Sequence, residues 1–575
     1  MTNNIRVFLW VAVGLALWLN YSQWQIDYGA KPVAASTTTD STGASKPADI
    51  GDTVPNADQP VAPSIANGGD VPVAAAPTDG NAPAAEVETA ADRKVIRVTT
   101  DVLVLDISLT GGTLVHAELP GYPVVKGEDA RVVLFNTGDP AHNYVMRTGL
   151  ASPKGLSAPN HQAQFTSAAS SYSLAPGQDE LRVPLTWTDG QGITVTKTFI
   201  FKRSFFVIDL EYDIQNATQA PYYAQPYTRI QRTDPVIERS MLTFKAEAYA
   251  FRGPAIYDGA KYRKLKLDNK DDAALNIDVT KGWIAGLQHH FVSAVVPDPT
   301  DPQKFTMVVK GREYALTSLG SLQTVAPGAH KIIKEGLFVG PKLQKQLETM
   351  HPELSRVADY GALTLLSKPL FWLLDHAHSV VKNWGLAIIF VTFLLKLLFY
   401  PLAQKAGRSM ARMRTLAPRM KQLQELYKDD RTKLGQETME LYKREKVNPL
   451  AGCLPMLIQM PVFLAFYWVL LESAEMRQAP FLGWINDLSS RDPFFILPAL
   501  NGLAMWFQQK LNPPPPDPMQ AKVFQFMPLV FSVLFAVFPA GLVLYWVTNT
   551  GLSILQQWNI NRKNALEDSA RKKRG

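Results

Sequence analysis

Apolar and polar residues change their rhythm several times along this chain. Near the start, Val7–Tyr21 is an uncharged run. From about residue 93 to 340 the pattern alternates with a period of two. In "FFVIDLEYDIQN", Phe206, Ile208, Leu210, Tyr212 and Ile214 share one face, and Asp209, Glu211 and Asp213 the other. "VIRVTTDVLVLDISLTGGTLVHAEL" reads the same way around a Gly-Gly turn. Such alternation, bounded by Gly, Pro and Asn, predicts half-buried strands and a large antiparallel β-sandwich. After residue 383 the uncharged runs return, as Trp384–Leu395, Pro449–Leu471, Pro493–Gln509 and Val523–Asn561. A helix needs about 20 apolar residues to cross a bilayer, so these runs are candidate spans. The last, at 39 residues, is too long for one, and "FPAG" at 538–541 predicts a turn that divides it. The halves, Val523–Phe538 and Ala540–Gln556, bring the expected total to six spans.

The intervening segments have their own patterns. Residues 29–92 are rich in Ala, Pro, Thr, Gly and Asp with no aromatic residue, a composition that predicts a disordered tether. "SKPLFWLLDHAHSVVKN" (367–383) predicts an amphipathic helix lying at a membrane surface. Between 403 and 448, Met410, Met413, Leu416, Met420, Leu423 and Tyr427 recur at helical spacing, followed by "KDDRTKLG" and a second run through Met439 and Tyr442. That predicts a helical hairpin with one apolar seam and a basic exterior. It either holds two spans apart or docks anionic lipid headgroups, ribosomal RNA or an acidic partner. The expected plan is an N-terminal anchor (1–28), linker (29–92), β domain (93–340) and connecting helices (341–383). A second span (384–402), the hairpin (403–448), four further spans (449–558) and a basic tail (559–575) follow. A cleavable signal peptide also fits the first run, but "WLNYSQWQIDYGA" offers no good small-x-small cleavage site.

Charge orients this plan. Net charge is +7, yet residues 403–448 hold twelve Lys/Arg against six Asp/Glu, and 559–575 six against two. Short basic loops stay cytosolic, which places both termini inside and residues 22–383 and 472–492 outside. The same residues argue against an enzyme. The lone Cys453 makes an intramolecular disulfide impossible. No histidines have metal-ligand spacing, and "QHHF" on a strand would send its rings to opposite faces. There is neither a Gly-x-Ser-x-Gly elbow nor a Walker motif. No cofactor and no DNA partner is expected.

One residue breaks the apolar pattern. In "TFLLKLLFYPLAQK" (392–405), Lys396 stands where the surrounding run is written for lipid, and an intramembrane charge is a functional candidate. On a helix, Thr392, Lys396 and Tyr400 share a stripe. Gln459 aligns with Phe463 and Tyr467; Asn501 and Gln508 are a heptad apart; Tyr545, Asn549, Ser553 and Gln556 share a face. Taken singly, these residues read as interhelical hydrogen bonds and Lys396 as a side chain reaching for the interface. Taken together, they predict a water-accessible groove open to the cytosol.

Four stretches carry a resemblance: "NWGLAIIFVTFLLKLLFYPL", "YKREKVNPLAGCLPMLIQMPVFLAFYWVL", "MRQAPFLGWINDLSSRDPFFILP" and "DPMQAKVFQFMPLVFSVLFAVFPAGLVLYWVTN". They resemble the YidC family of membrane protein insertases, in the Gram-negative bacterial form with a large periplasmic domain. The resemblance implies a multi-domain inner-membrane protein, with an N-terminal anchor, five core helices and a mutarotase-like β-supersandwich. It implies insertion and folding of nascent inner-membrane proteins, alone or beside the Sec translocon, without nucleotide hydrolysis. It places Lys396 in the groove, and Gln459, Met460, Phe463, Tyr545, Trp546 and Asn549 against incoming spans. It further implies that the tail and hairpin engage the ribosome. The family's groove cation is typically Arg, whereas this chain has Lys396; Trp546 stands where a second Tyr is common and Ala540 where a Ser is common. A secondary transporter or channel using the same stripes is the alternative. A tethered periplasmic sugar enzyme would need an acid/base pair that is not evident.

Overall fold

The computed structural model describes residue 50 and residues 53–57, 94–153, 156–235, 250–427, 430–445, 454–511 and 518–572. The expected N-terminal anchor, most of the linker and Cys453 lie outside them. The chain forms two compact units. The first comprises Ala48–Tyr360 with Leu471–Arg477; the second joins Gly361–Leu470 to Gln478–Gly575.

The first unit is built on β-sheet. Strands from Val95–Thr99 to His330–Pro341 form one eleven-stranded and one eight-stranded sheet. The period-two reading of strand Val207–Asn216 is realised directly. Ile208, Leu210, Tyr212 and Ile214 are fully buried, while Asp209 and Glu211 meet Lys202 and Lys334 at 2.7 Å on the other face. That strand pairs antiparallel with Ile193–Lys202 and with His330–Pro341. Leu105, Tyr144 and Leu316 of the larger sheet share one buried cluster with Val195, Tyr212 and Leu337 of the smaller. Among the described residues the unit also holds the short helices α1 (Lys270–Ala273) and α2 (Gln344–Met350).

The Gly-Gly turn predicted from the sequence joins strands Val104–Ser108 and Thr113–Pro123, with φ of +71° at Gly111 and +59° at Gly112. Only glycine adopts these angles without strain, and a Cβ on Gly112 would lie 2.7 Å from Lys197 Nζ. Lys197 is the inward residue of an otherwise apolar strand face, and it is fully buried. Its ammonium donates to the carbonyl oxygens of Gly111 (2.7 Å), Thr148 (3.0 Å) and Gly112 (3.3 Å). The rings of Phe165, Phe199 and Tyr212 stand 5.3–5.6 Å away. As an ammonium it has an acceptor for each of its three donors, while burial pushes its pKa well below the ordinary lysine value, opposed by the nearby Glu335.

Two expectations need correcting here. His289 and His290 lie in the bend between strands Trp283–Leu287 and Phe291–Pro297, not on a strand, so their rings come together at 3.7 Å. Residues 53–57, assigned to the tether, pack Val54 and Ala57 against Ala151, Tyr227 and Leu319. Arg229 donates to the carbonyl of Thr53 at 2.7 Å. Composition reads a segment's own burial capacity, and it cannot see a groove supplied by another part of the chain.

The second unit is helical: α3 (Thr364–Val381), α4 (Trp384–Leu398), α5 (Tyr400–Leu426), α6 (Arg431–Arg444), α7 (Leu454–Glu472), α8 (Ile496–Leu511), α9 (Pro518–Phe535) and α10 (Ala540–Lys572). Helix α3 buries Ser367, Leu370 and Leu374 but exposes Leu365, Trp372 and Val380, so it is apolar on both faces. The hairpin α5–α6 closes its seam through Leu416, Met420 and Tyr442, while Met439 is turned outward. A turn ends α9 at Phe535 and α10 begins at Ala540, where "FPAG" predicted it. Gly502 of α8 lies against Ser532 of α9 so closely that a Cβ would stand on the serine hydroxyl.

Among the described residues no single helix is long and apolar enough to cross a membrane. Helices α4 and α5 meet the test together, but they are bent by 58° at Phe399. Pro401 explains the break, because it lacks the N–H that would bond the carbonyl of Leu397 and its ring crowds that carbonyl. The uninterrupted helix expected over 384–402 is therefore two pieces.

Candidate functional site

The polar stripes of α4, α7 and α10 converge on one cavity of about 50 Å³. Thr392 and Lys396 line it from α4, Gln459 and Val462 from α7, and Tyr545, Asn549 and Gln556 from α10. Its volume suits roughly three to five water molecules.

Within the site, one hydrogen-bond chain fixes the directions. Ser553 Oγ donates to the carbonyl of Asn549 at 2.7 Å, one turn back on α10. Its only proton is thereby used, so its lone pairs face Lys396, whose Nζ donates to it at 2.7 Å. That is the one hydrogen bond of Lys396 among the described residues, and no carboxylate reaches it. Gln459 Nε2 donates to Asn549 Oδ1, tying α7 to α10. Thr392 is buried and returns its hydroxyl to the carbonyl of Ile388 at 2.6 Å. On the apolar side, Tyr545 stacks on Phe466 at 4.6 Å and on Phe463 at 6.2 Å, and Trp546 meets Phe463 at 4.9 Å. The buried N–H of Trp546 and the buried amide nitrogen of Gln556 have no acceptor among the described residues.

Of the residues singled out from the sequence, Thr392, Lys396, Gln459, Tyr545, Asn549 and Gln556 line the cavity. Phe463 and Trp546 pack beside it. Tyr400 falls beyond the break at Phe399, so the Thr392–Lys396–Tyr400 stripe does not continue as expected; its hydroxyl accepts from Asn559 instead, at 3.4 Å. Met460 is 40% exposed and outside the lining, and Gln508 on α8 is outside it too. Asn501 is buried between helices, accepting from Thr550 at 3.4 Å, and so acts as interhelical glue. Phe399, Leu402, Ala403 and Val462 line the cavity without any polar signal to reveal them. No cluster of potential metal ligands occurs among the described residues.

Comparison with known proteins covers nearly the whole chain. Residues 376–568 match the family described as 60Kd inner membrane protein, and residues 95–373 match the YidC periplasmic domain. The Membrane protein insertase YidC of Thioalkalivibrio sulfidiphilus is 44% identical over 571 residues, covering 97% of this chain and 98% of the relative. The protein of the same name from Methylococcus capsulatus is 44% identical over 565 residues, covering 98% of each. That of Pseudomonas fluorescens is 42% identical over 571 residues, covering 97% and 98%.

Proposed function

Since the chain belongs to the YidC family of membrane protein insertases, we propose that it inserts membrane proteins by way of the polar cavity between α4, α7 and α10. One observation carries the reading: Lys396 presents a charge with a single hydroxyl partner to a small cavity lined by both polar and apolar side chains. A charge so placed is costly unless water or a ligand shares it. An incoming hairpin would enter from the cytosol and hold its polar outer segment briefly at Lys396. Its apolar span would then partition into lipid, carrying the outer segment across. Apolar transfer supplies the driving force, and an acidic segment gains about 2.3 kcal/mol per charge per 100 mV of membrane potential.

In this reading the protein spans the inner membrane six times, with both termini in the cytosol and the β unit, a supersandwich, in the periplasm. The domain limits are those read from the sequence, with the linker shortened by its docked residues 53–57. Substrates are nascent membrane proteins. The Sec translocon, the ribosome at the hairpin and basic tail, and anionic lipids are partners of this proposal. No chemical step is assigned to any residue. The relatives are named insertases, and nothing favours the transporter alternative.

The test is reconstitution with a single-span substrate whose outer segment is acidic, scored by protease protection. Lys396→Glu abolishes protection and Lys396→Arg preserves it. Normal insertion of every substrate by Lys396→Ala would refute the role of the charge. Photo-crosslinks from positions 396, 463 and 545 to a stalled nascent chain locate the path.

A further inference from the structure

We infer that Asp487 is a positioning residue: it folds the loop between α7 and α8 into a clasp that starts α4 and α10 at one level, so that Lys396 meets Ser553. The consequence for insertion rests on the groove reading above, but the geometry of the clasp stands by itself. All of its parts lie in the helical unit.

By composition "QAPFLGWINDLSSRD" (478–492) is a surface loop. Here Ala479, Ile485, Leu488 and Asp492 are buried, and two carboxylates order the backbone around them. Asp487 accepts from the N–H groups of Gln478 (2.9 Å) and Ser489 (2.8 Å). It also accepts from the hydroxyls of Ser489 (2.7 Å) and Ser490 (2.6 Å). The N–H of Leu488 then closes on the carbonyl of Ala479 at 3.0 Å, and that of Phe481 on the carbonyl of Ile485 at 2.9 Å. Asp492 accepts from the indole N–H of Trp484 at 3.0 Å and from the N–H of Leu497, in the first turn of α8, at 2.7 Å.

So ordered, the loop turns its remaining groups onto two other helices. The first N–H groups of a helix have no partner within it. At α10, those of Ala540 and Gly541 donate to the carbonyls of Ser490 (2.7 Å) and Leu488 (2.9 Å). At α4 the cap is Asn383, which accepts from the N–H of Leu386 at 3.0 Å and donates its amide to the carbonyl of Phe481 at 3.2 Å. The Phe481 ring covers Gly385 so closely that a Cβ there would stand 2.0 Å from it. Both helices therefore start from the same loop. Lys396 lies twelve residues after Trp384, and Ser553 thirteen after Ala540, about 18 and 20 Å along their axes. The two side chains arrive at the same depth. A slip of α10 by one residue would carry Ser553 about 1.5 Å along its axis and about 100° around it.

The full-length protein in lipid decides this through hydrogen exchange without substrate and insertion of two single-span substrates, one with an acidic and one with a neutral outer segment. Asp487→Ala is expected to speed exchange of the amides of 540 and 541 by roughly tenfold or more. It is expected to lower insertion of the acidic substrate about fivefold relative to the neutral one. Asp487→Asn, which keeps a carbonyl oxygen for the two N–H groups, restores most of both readouts. Gly502→Ala presses α8 on Ser532 of α9 without touching the loop, and it lowers both substrates alike. If Asp487→Ala does not accumulate, Ser489→Ala with Ser490→Ala takes its place, with the same shifts expected. Unchanged exchange at 540–541, an equal loss of the two substrates, or a charge-selective loss in Gly502→Ala overturns the clasp. If the unsubstituted protein inserts both substrates equally and Lys396→Ala changes neither, the groove reading fails instead, and exchange alone judges the clasp.

Discussion

Lys197 in the β unit and Lys396 in the helical unit both stand in apolar surroundings, and they are treated in opposite ways. Lys197 in the β unit has three carbonyl acceptors and three aromatic rings around its ammonium. Lys396 in the helical unit has one hydroxyl and a cavity. A cation whose donors are all used contributes to the fold and has nothing left to offer a ligand. A cation with one partner and adjoining space retains the capacity to bind. The lesson is that burial of a charge is not itself a mark of function; what matters is how completely the protein has spent its hydrogen-bonding capacity.

Methionine at each position breaks the comparison most directly, because it keeps the length of the side chain and removes the charge. Lys396→Met is expected to lower insertion of substrates with acidic outer segments about tenfold or more, measured by protease protection, with little change in thermal stability. Lys197→Met is expected to do the reverse. It strands carbonyls that nothing else satisfies, at roughly 2–5 kcal/mol, and lowers the thermal midpoint by on the order of 10 °C. Insertion per folded molecule stays unchanged. If both variants lose insertion equally, the distinction fails.

A pH titration sharpens the account of the β unit. Burial pushes the Glu335 carboxyl up from 4.5 to about 7, although Thr228 donates to it at 2.6 Å and Lys197 opposes the shift. Folded Glu335 thus keeps a proton that the unfolded chain releases. Its stabilising contribution is full below about pH 4.5 and is lost as pH rises toward 7, by roughly 3 kcal/mol. Glu335→Gln should flatten this part of the stability curve, as measured by chemical denaturation. The smallest effect belongs to the docked tether. Arg229→Ala removes bonds to Thr53 and to the buried Thr317 and should cost about 2 kcal/mol. Limited proteolysis within residues 50–57 should accelerate while the β core stays resistant.

Much of this was legible beforehand, and the reason is periodicity. The alternation in Val207–Asn216 and the turn at "FPAG" depend on neighbours in sequence, and both appear as read. The polar face of α10 survives for the same cause: Tyr545, Asn549 and Gln556 line the cavity, and Ser553 holds Lys396 beside them. Where an outcome depended on partners far along the chain, the pattern was silent. Lys197 looked like an ordinary strand residue until Gly111, Gly112 and Thr148 closed over it. Tyr400 left its stripe because Pro401 broke the helix, a local signal that a strict four-residue spacing overlooks.

The sequence by itself determined the two kinds of unit, the strand in "FFVIDLEYDIQN", the turn at "FPAG" and the residue types available for a groove, since each follows from short-range patterning and turn chemistry. Only the tertiary structure decided which polar groups would be satisfied and which left over. That depends on contacts between residues tens to hundreds of positions apart, as between Lys396 and Ser553 or between Lys342 and Glu472. Hydrogen-bond satisfaction is settled by the assembled surroundings of a side chain, and no reading of its neighbours in sequence supplies them.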